Sequence, residues 1–400
     1  GSSAAGDAVT LLAAGTVSTS QVESVVGTTA TTDVLRLLST GSVAVSVIDT
    51  VIGSTGLDIL TVTDSGTTGA LAISAIESVI GTTATGETVT LLTSSSLSMS
   101  GFETVIGSAA SNDQVTLLGS ASLAVSGVET VVGGTDTTDI VTLLAAGSMS
   151  VSNVESVVGS TATNDVVTML ASGSLAVSNV ETVVGGGALT EVVSFADATL
   201  STSRVDSVLG SVTGTETLRL LTGGIVSLSS VETVIGSAAI NDQINLLASG
   251  TVAVSAVESV LGTAQSGDVV RMLQAGTMAV SAVESVIGSS GADVVTLQGG
   301  GTLKVSGVES LVGTADTSDT IELLAAGAIR VSAIETVIGS TGTTDSVTLA
   351  ATGNLVVSGV ESVNGPSALS EAVTLLVAGS RGVWNTEPVH GTADTGDVVR

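Results

Sequence analysis

Cysteine is absent from this 400-residue chain, so neither disulfides nor thiolate metal sites can contribute to it. Aromatic side chains are nearly missing: Phe102, Phe195 and Trp384 are the whole set, and there is no tyrosine. Basic residues number 8 against 37 acids, and a formal charge of −29 argues against a nucleic-acid partner, whose phosphates demand basic patches. Long apolar runs are also lacking. None approaches the roughly 20 residues of a membrane-spanning helix, so no span is expected despite the high mean hydropathy. What remains is Val, Leu, Ile and Ala with abundant Thr, Ser and Gly, a composition that favours thin stacked strands over a globular core. The lack of cysteine fits an extracellular or bacterial cell-surface location.

One stretch organises the chain. Val154–Leu170, VESVVGSTATNDVVTML, recurs at a nearly fixed interval: its VES acid returns from Glu23 through Glu129, Glu155 and Glu181 to Glu387, and eleven of the fourteen steps are 26 residues. A second acid follows each one by nine or ten residues, from Asp33 through Asp165 to Asp397. Self-similarity on this scale marks a repeat architecture in which each repeat buries its inner face only against its neighbours.

Each repeat reads as three short strands. After the second acid, aliphatic, polar and aliphatic residues alternate (Val89, Thr90, Leu91; Val167, Thr168, Met169), the period-two signature of a strand with one buried face. A small-residue turn follows, usually ending in glycine (Gly15, Gly41, Gly147, Gly173, Gly250), where positive φ is expected. The second strand is SLAVS, with Leu175 and Val177 inward. The third is VESVIG, in which parity leaves open which of the two later aliphatics points inward. Glycines and β-branched residues recur too often for helices.

The fold predicted is all-β: a parallel β-solenoid (β-helix) with three strands and about 26 residues per coil and about 15 coils. At about 4.8 Å per coil it would be a rod on the order of 70 Å long. The crossover rule favours right-handed winding. Residues 1–400 are expected to form one continuous domain, with 1–6 a tail or tag remnant and 380–400 an irregular last repeat containing Trp384, Pro388 and His390. The opening GSSAAGDAVT shows no secretory leader, and both ends read as cuts through a longer array. A bulged loop is expected after Thr63, and a residue is missing near Phe195, where Asp197 takes the place of the turn.

Two columns hold 31 of the 37 acids. Stacked about 5 Å apart, neighbouring carboxylates would repel by about 0.9 kcal/mol in water, so cations, hydrogen bonds or raised pKa values must relieve them. The simplest use of the second acid is to cap its turn by accepting backbone N–H bonds. The segments Gly53-Ser54-Thr55-Gly56-Leu57-Asp58 and Gly288-Ser289-Ser290-Gly291-Ala292-Asp293 fit G-x-x-G-x-D, and the flanks VESVIGSSGADVVTL complete a pattern that resembles the glycine- and aspartate-rich, hemolysin-type RTX repeat. That resemblance implies secretion from a bacterium and Ca²⁺ held at the turns by Asp58 and Asp293; the acid column after the turn offers Asp113, Asp139, Asp165 and Asp242 as further Ca²⁺ candidates. The longer period and the missing glycines of most copies depart from the family's pattern.

Catalysis has no constellation to stand on: His390 is the single histidine, and carboxylates repeated identically do not make a differentiated acid–base pair. The chain is expected to be a structural repeat protein and not an enzyme. The expected roles are surface fibre, adhesin stalk or surface-layer module, self-associating head to tail or laterally and in contact with cell-surface or extracellular-matrix components. The alternatives are a calcium-binding module with metal-triggered folding and, from the Thr90, Thr116, Thr142 and Thr168 column, an ice-binding face.

Overall fold

A computed structural model describes the chain apart from residues 3–5, 65–69, 188, 189, 197, 367–371, 377–379, 387, 393–397 and 400, and apart from the side chains of 380, 381, 398 and 399. It is all-β, without a helix among the described residues. The chain divides into two compact units, Gly1–Ala196 and Asp197–Arg400, parting beside the repeat that lacks a residue. Asp197, Glu387 and Asp397 lie outside the described residues, as does most of the loop after Thr63.

Each unit is a parallel β-solenoid with two sheets, and successive strands alternate between them. Val34–Leu37 pairs with Thr50–Ile52, the second strand along, and not with the intervening Gly41–Ser46. Gly41–Ser46 pairs instead with Ser24–Val26 and Asp58–Val62 in the other sheet. A turn therefore contains two strands. The expected three strands and 26 residues per coil are corrected by this pairing: the steps between rungs are 16, 20 and 18 residues. Among the described residues the strands make about 20 turns over the two units, more than the expected total of 15.

The three strands expected in each repeat are present, as Ser156–Val158, Val166–Met169 and Gly173–Ser178 illustrate. One sequence repeat is thus one and a half turns. Equivalent residues of successive repeats fall on opposite sheets, and those two repeats apart fall on the same one. Glu129, Glu155 and Glu181 do not form a row: they precede Thr130–Val132, Ser156–Val158 and Thr182–Val184, of which the first and third are in one sheet and the second in the other. The threonine column splits the same way, with Thr90 and Thr142 opposite Thr116 and Thr168.

The core is the space between the sheets, filled by the alternate aliphatics of every strand. In the VES strand the first of the two later aliphatics is the inward one: Val25, Val51, Val79 and Val105 are fully buried, whereas Ile80 and Ile106 are exposed. The aliphatic before the acid (Ile76, Val128, Val154, Val360) is buried at the corner. Complete burial of such a side chain contributes roughly 1.5–3 kcal/mol.

Candidate functional site: the paired acids at the corners

Among the described residues, the second acid stands one residue before its strand, or, as Asp58 and Glu191, at the strand's first position, where the chain turns from one sheet into the other. Asp33, Asp58, Asp113, Asp139, Asp165, Asp242 and Asp293 are fully buried there. The reason is local. The Ser or Thr after the VIG glycine donates both backbone N–H and hydroxyl to one carboxylate oxygen, as in Ser108 N and Oγ to Asp113 Oδ2 at 2.6 and 2.9 Å. The other oxygen accepts a backbone N–H from the preceding rung, Ser95 N to Asp113 Oδ1 at 3.2 Å. Asp58, Asp139, Asp165 and Asp293 are held alike by Gly41, Ala121, Gly147 and Gly276. Asp242 and Asp319 depart from this, each leaving Oδ1 without a partner. A buried carboxylate bonded to several N–H groups makes the stronger, charge-assisted kind of hydrogen bond.

The VES acid completes the corner from the next rung. Its carboxylate accepts the backbone N–H of the buried acid, Asp113 N to Glu129 Oε2 at 2.8 Å, and its own N–H returns to that residue's carbonyl at 3.1 Å. The same bond joins Asp33 to Asp49, Asp58 to Glu77, Asp165 to Glu181, Asp242 to Glu258 and Asp293 to Glu309, all at 2.7–2.8 Å. Where both oxygens are bonded, as in Asp33, Asp58, Asp113, Asp165 and Asp293, the buried acid therefore ties three successive rungs together. The following rung is a SLAVS strand with no acid at that place, so the carboxylates run in pairs separated by a neutral rung and not as a column of fifteen.

The pairs differ in the environment of their carboxyls. The Thr28 backbone N–H and then its hydroxyl hold the Asp33 carboxyl below its ordinary value, against the opposing effect of burial. Desolvation pushes Glu232 above its ordinary value, with the facing Glu216 carboxylate adding to the rise. Glu216 is a glutamate where most repeats have aspartate, and its side chain hydrogen-bonds to and repels the Glu232 carboxylate.

For Ca²⁺, the donor set decides. The groups against Asp58, Asp113, Asp139, Asp165, Asp242 and Asp293 are N–H and O–H donors, whose positive ends face the carboxylate, whereas Ca²⁺ takes six to eight oxygens. No group of three or more His, Asp or Glu side chains is arranged to hold a metal among the described residues. The corners do not fit the ion. The extra glycine of the two G-x-x-G-x-D segments has a packing reason: a Cβ on Gly56 would stand 2.1 Å from Thr40 Cγ2, and one on Gly291 2.6 Å from Ala275 Cβ.

The opposite corner was missed by sequence reasoning. The residue after the recurrent serine is left-handed in copy after copy, with φ of 54° at Gln21, 53° at Val47, 53° at Asn153 and 51° at Ala282. Its carbonyl presses on the VIG glycine one rung earlier: a Cβ on Gly27 would stand 1.9 Å from Val47 O, and one on Gly262 1.9 Å from Ala282 O. Positive φ was expected instead at the turn-ending glycines; Gly41 and Gly173 have it, at 155° and 156°, whereas Gly15, Gly147 and Gly250 do not. The presence of Gly101, Gly127, Gly307 and Gly359 at the left-handed position was the available signal, diluted by Gln, Val, Ala, Arg and Ser elsewhere. His390 is exposed in Val389–His390, and Trp384 is half exposed. Comparison with protein-family models, with curated proteins and with solved structures gives no match.

Proposed function

We propose that this chain is a structural repeat protein of the bacterial exterior, a fibre, adhesin stalk or surface-layer module whose units act as stiff spacers. The observation that carries this reading is the use of the recurrent acids. Carboxylates that could have served binding or proton transfer are committed, corner after corner, to joining one rung to the next. A repeat spent on making the same corner favours length and stiffness over a differentiated site. The lack of cysteine and the resemblance to RTX repeats support an extracellular location, where cell-surface or matrix components are the natural contacts.

Electron microscopy of the purified chain tests it: rods are expected, and compact particles would remove the proposal. Circular dichroism before and after EDTA separates it from metal-triggered folding. The β spectrum is expected to be unchanged by the chelator, and its loss would make calcium part of the fold.

A further inference from the structure

We infer that one outer face of the first unit, the sheet running from Ala8–Thr10 through Ser98 and Ser150 to Thr182–Val184, is the surface on which a second copy of this chain docks by the same face. The inference rests on the structural reading above and names its partner. Among the described residues, no outward position of this sheet's eleven strands carries a charged side chain. The opposite sheet of the unit has Arg36 exposed, and the second unit displays Arg219, Arg271, Lys304, Glu322 and Arg330.

The occupant follows from charge, relief and area. A chain of net charge −29 repels its own copies, so two copies can come into contact only where neither presents charge. This face comes nearest that condition against itself: the half-exposed Glu23, Glu77, Glu129 and Glu181 stand at its margin, one residue before their strands, with carboxylates bonded to backbone N–H groups. Its relief is also self-complementary. Val26 and Ile80 stand outward beside the small Ser46 and Ser100 of the next rung, and Val132 and Val184 continue the series. These tips are three rungs, about 14 Å, apart. A two-fold axis along the strands, between the rungs of Ser78 and Ser98, would set the Val26, Ile80 and Val132 tips of each copy over the Ser152, Ser100 and Ser46 rungs of the other. Eleven rungs of about 4.8 Å by four residues of about 3.3 Å give on the order of 700 Å² per partner, against roughly 800 Å² in a standard stable interface.

Sedimentation equilibrium of the full chain is expected to give twice 38.5 kDa. Ser98→Glu with Ser150→Glu should halve that mass, whereas Thr90→Glu with Thr142→Glu on the opposite sheet should leave it unchanged. If the first pair fails to fold by circular dichroism, Ser98→Cys supplies the only thiol in the chain. A bis-maleimide should then cross-link it into covalent dimers and leave Thr90→Cys without a cross-link. A monomeric parent chain, dissociation by the opposite-sheet pair, or cross-linking through Thr90→Cys alone would overturn the inference. So would a monomer showing thermal hysteresis, which would assign the face to ice. Rods of monomeric mass would sink the pairing and keep the structural reading. Compact dimers would do the reverse.

Discussion

Asp113 concentrates the chemistry of the corner in one side chain. Its carboxylate accepts Ser95 N, Ser108 N and Ser108 Oγ, and all of them lose their partner in Asp113→Ala. Each donor left unsatisfied in a buried place costs about 1–3 kcal/mol, and because water can reach the serine hydroxyl the variant is expected to lose roughly 2–4 kcal/mol in total. The urea midpoint measures it; a loss below about 0.5 kcal/mol would mean that the corner is not holding the rungs. Glu232 predicts the opposite sign. Its folded pKa lies above the ordinary 4.5, so its favourable contribution exists when it is protonated and is lost as pH rises through the folded value. At neutral pH the Glu216–Glu232 corner is therefore a liability, and Glu232→Gln should stabilise the chain there while the gain shrinks on acidification to about pH 3. Asp33, lowered by Thr28, behaves conversely: Asp33→Asn should cost stability at neutral pH and progressively less as pH falls through the folded value. Urea midpoints of both variants across this range check the two signs together.

Among the elements, the strands were legible in the sequence and the corners were only half so. Alternation placed Val167 and Met169 inward and Thr168 outward because a strand has period two, and burial agrees. The turn aspartates were legible as acceptors of backbone N–H bonds because aspartate does this in most sharp turns. The left-handed corner was not, because φ near 53° is imposed on Val47 and Ala75 by packing, and no preference of those residues for that conformation signals it. The misfit predicts a stabilising change. Ala282 is exposed at φ 51°, so Ala282→Gly gives up little burial and removes strain, for a gain of about 1 kcal/mol. The glycine beneath it is the control. Gly262→Ala would drive a Cβ to 1.9 Å from Ala282 O and should cost about 3 kcal/mol or more. Gly250→Ala meets nothing within 4 Å, and at ordinary φ it should be neutral or slightly stabilising. Thermal denaturation of the three variants orders them, and equal effects at Gly262 and Gly250 would contradict the close approach.

Across a whole unit, the phase between repeat and turn is what the sequence could not disclose. A repeat says which residues are equivalent; the number of strands that closes a turn depends on how sharply the corners bend, and here both the aspartate corner and the left-handed corner reverse the chain. The consequence is a rule about length. In each sheet the order of strands is SLAVS, acid strand, VES, then SLAVS again, because every strand pairs with the second one along. Removing three consecutive strands keeps every such neighbour relation and moves the following strands to the opposite sheet. Removing two strands, though it takes out one full turn, sets a VES strand where an acid strand belongs and strands Glu129 without its aspartate. Deletion of residues 114–139, a full 26-residue repeat that joins Asp113 directly to Ile140, should therefore fold with cooperativity and midpoint close to those of the parent. Deletion of 113–128, the 16-residue step from one rung to the next, should lose several kcal/mol and broaden the transition, since two corners and their buried hydrogen bonds are mismatched. Urea unfolding of the two deletion variants decides it: equal tolerance, or better tolerance of the shorter deletion, would mean that the turn and not the repeat is the unit of stability.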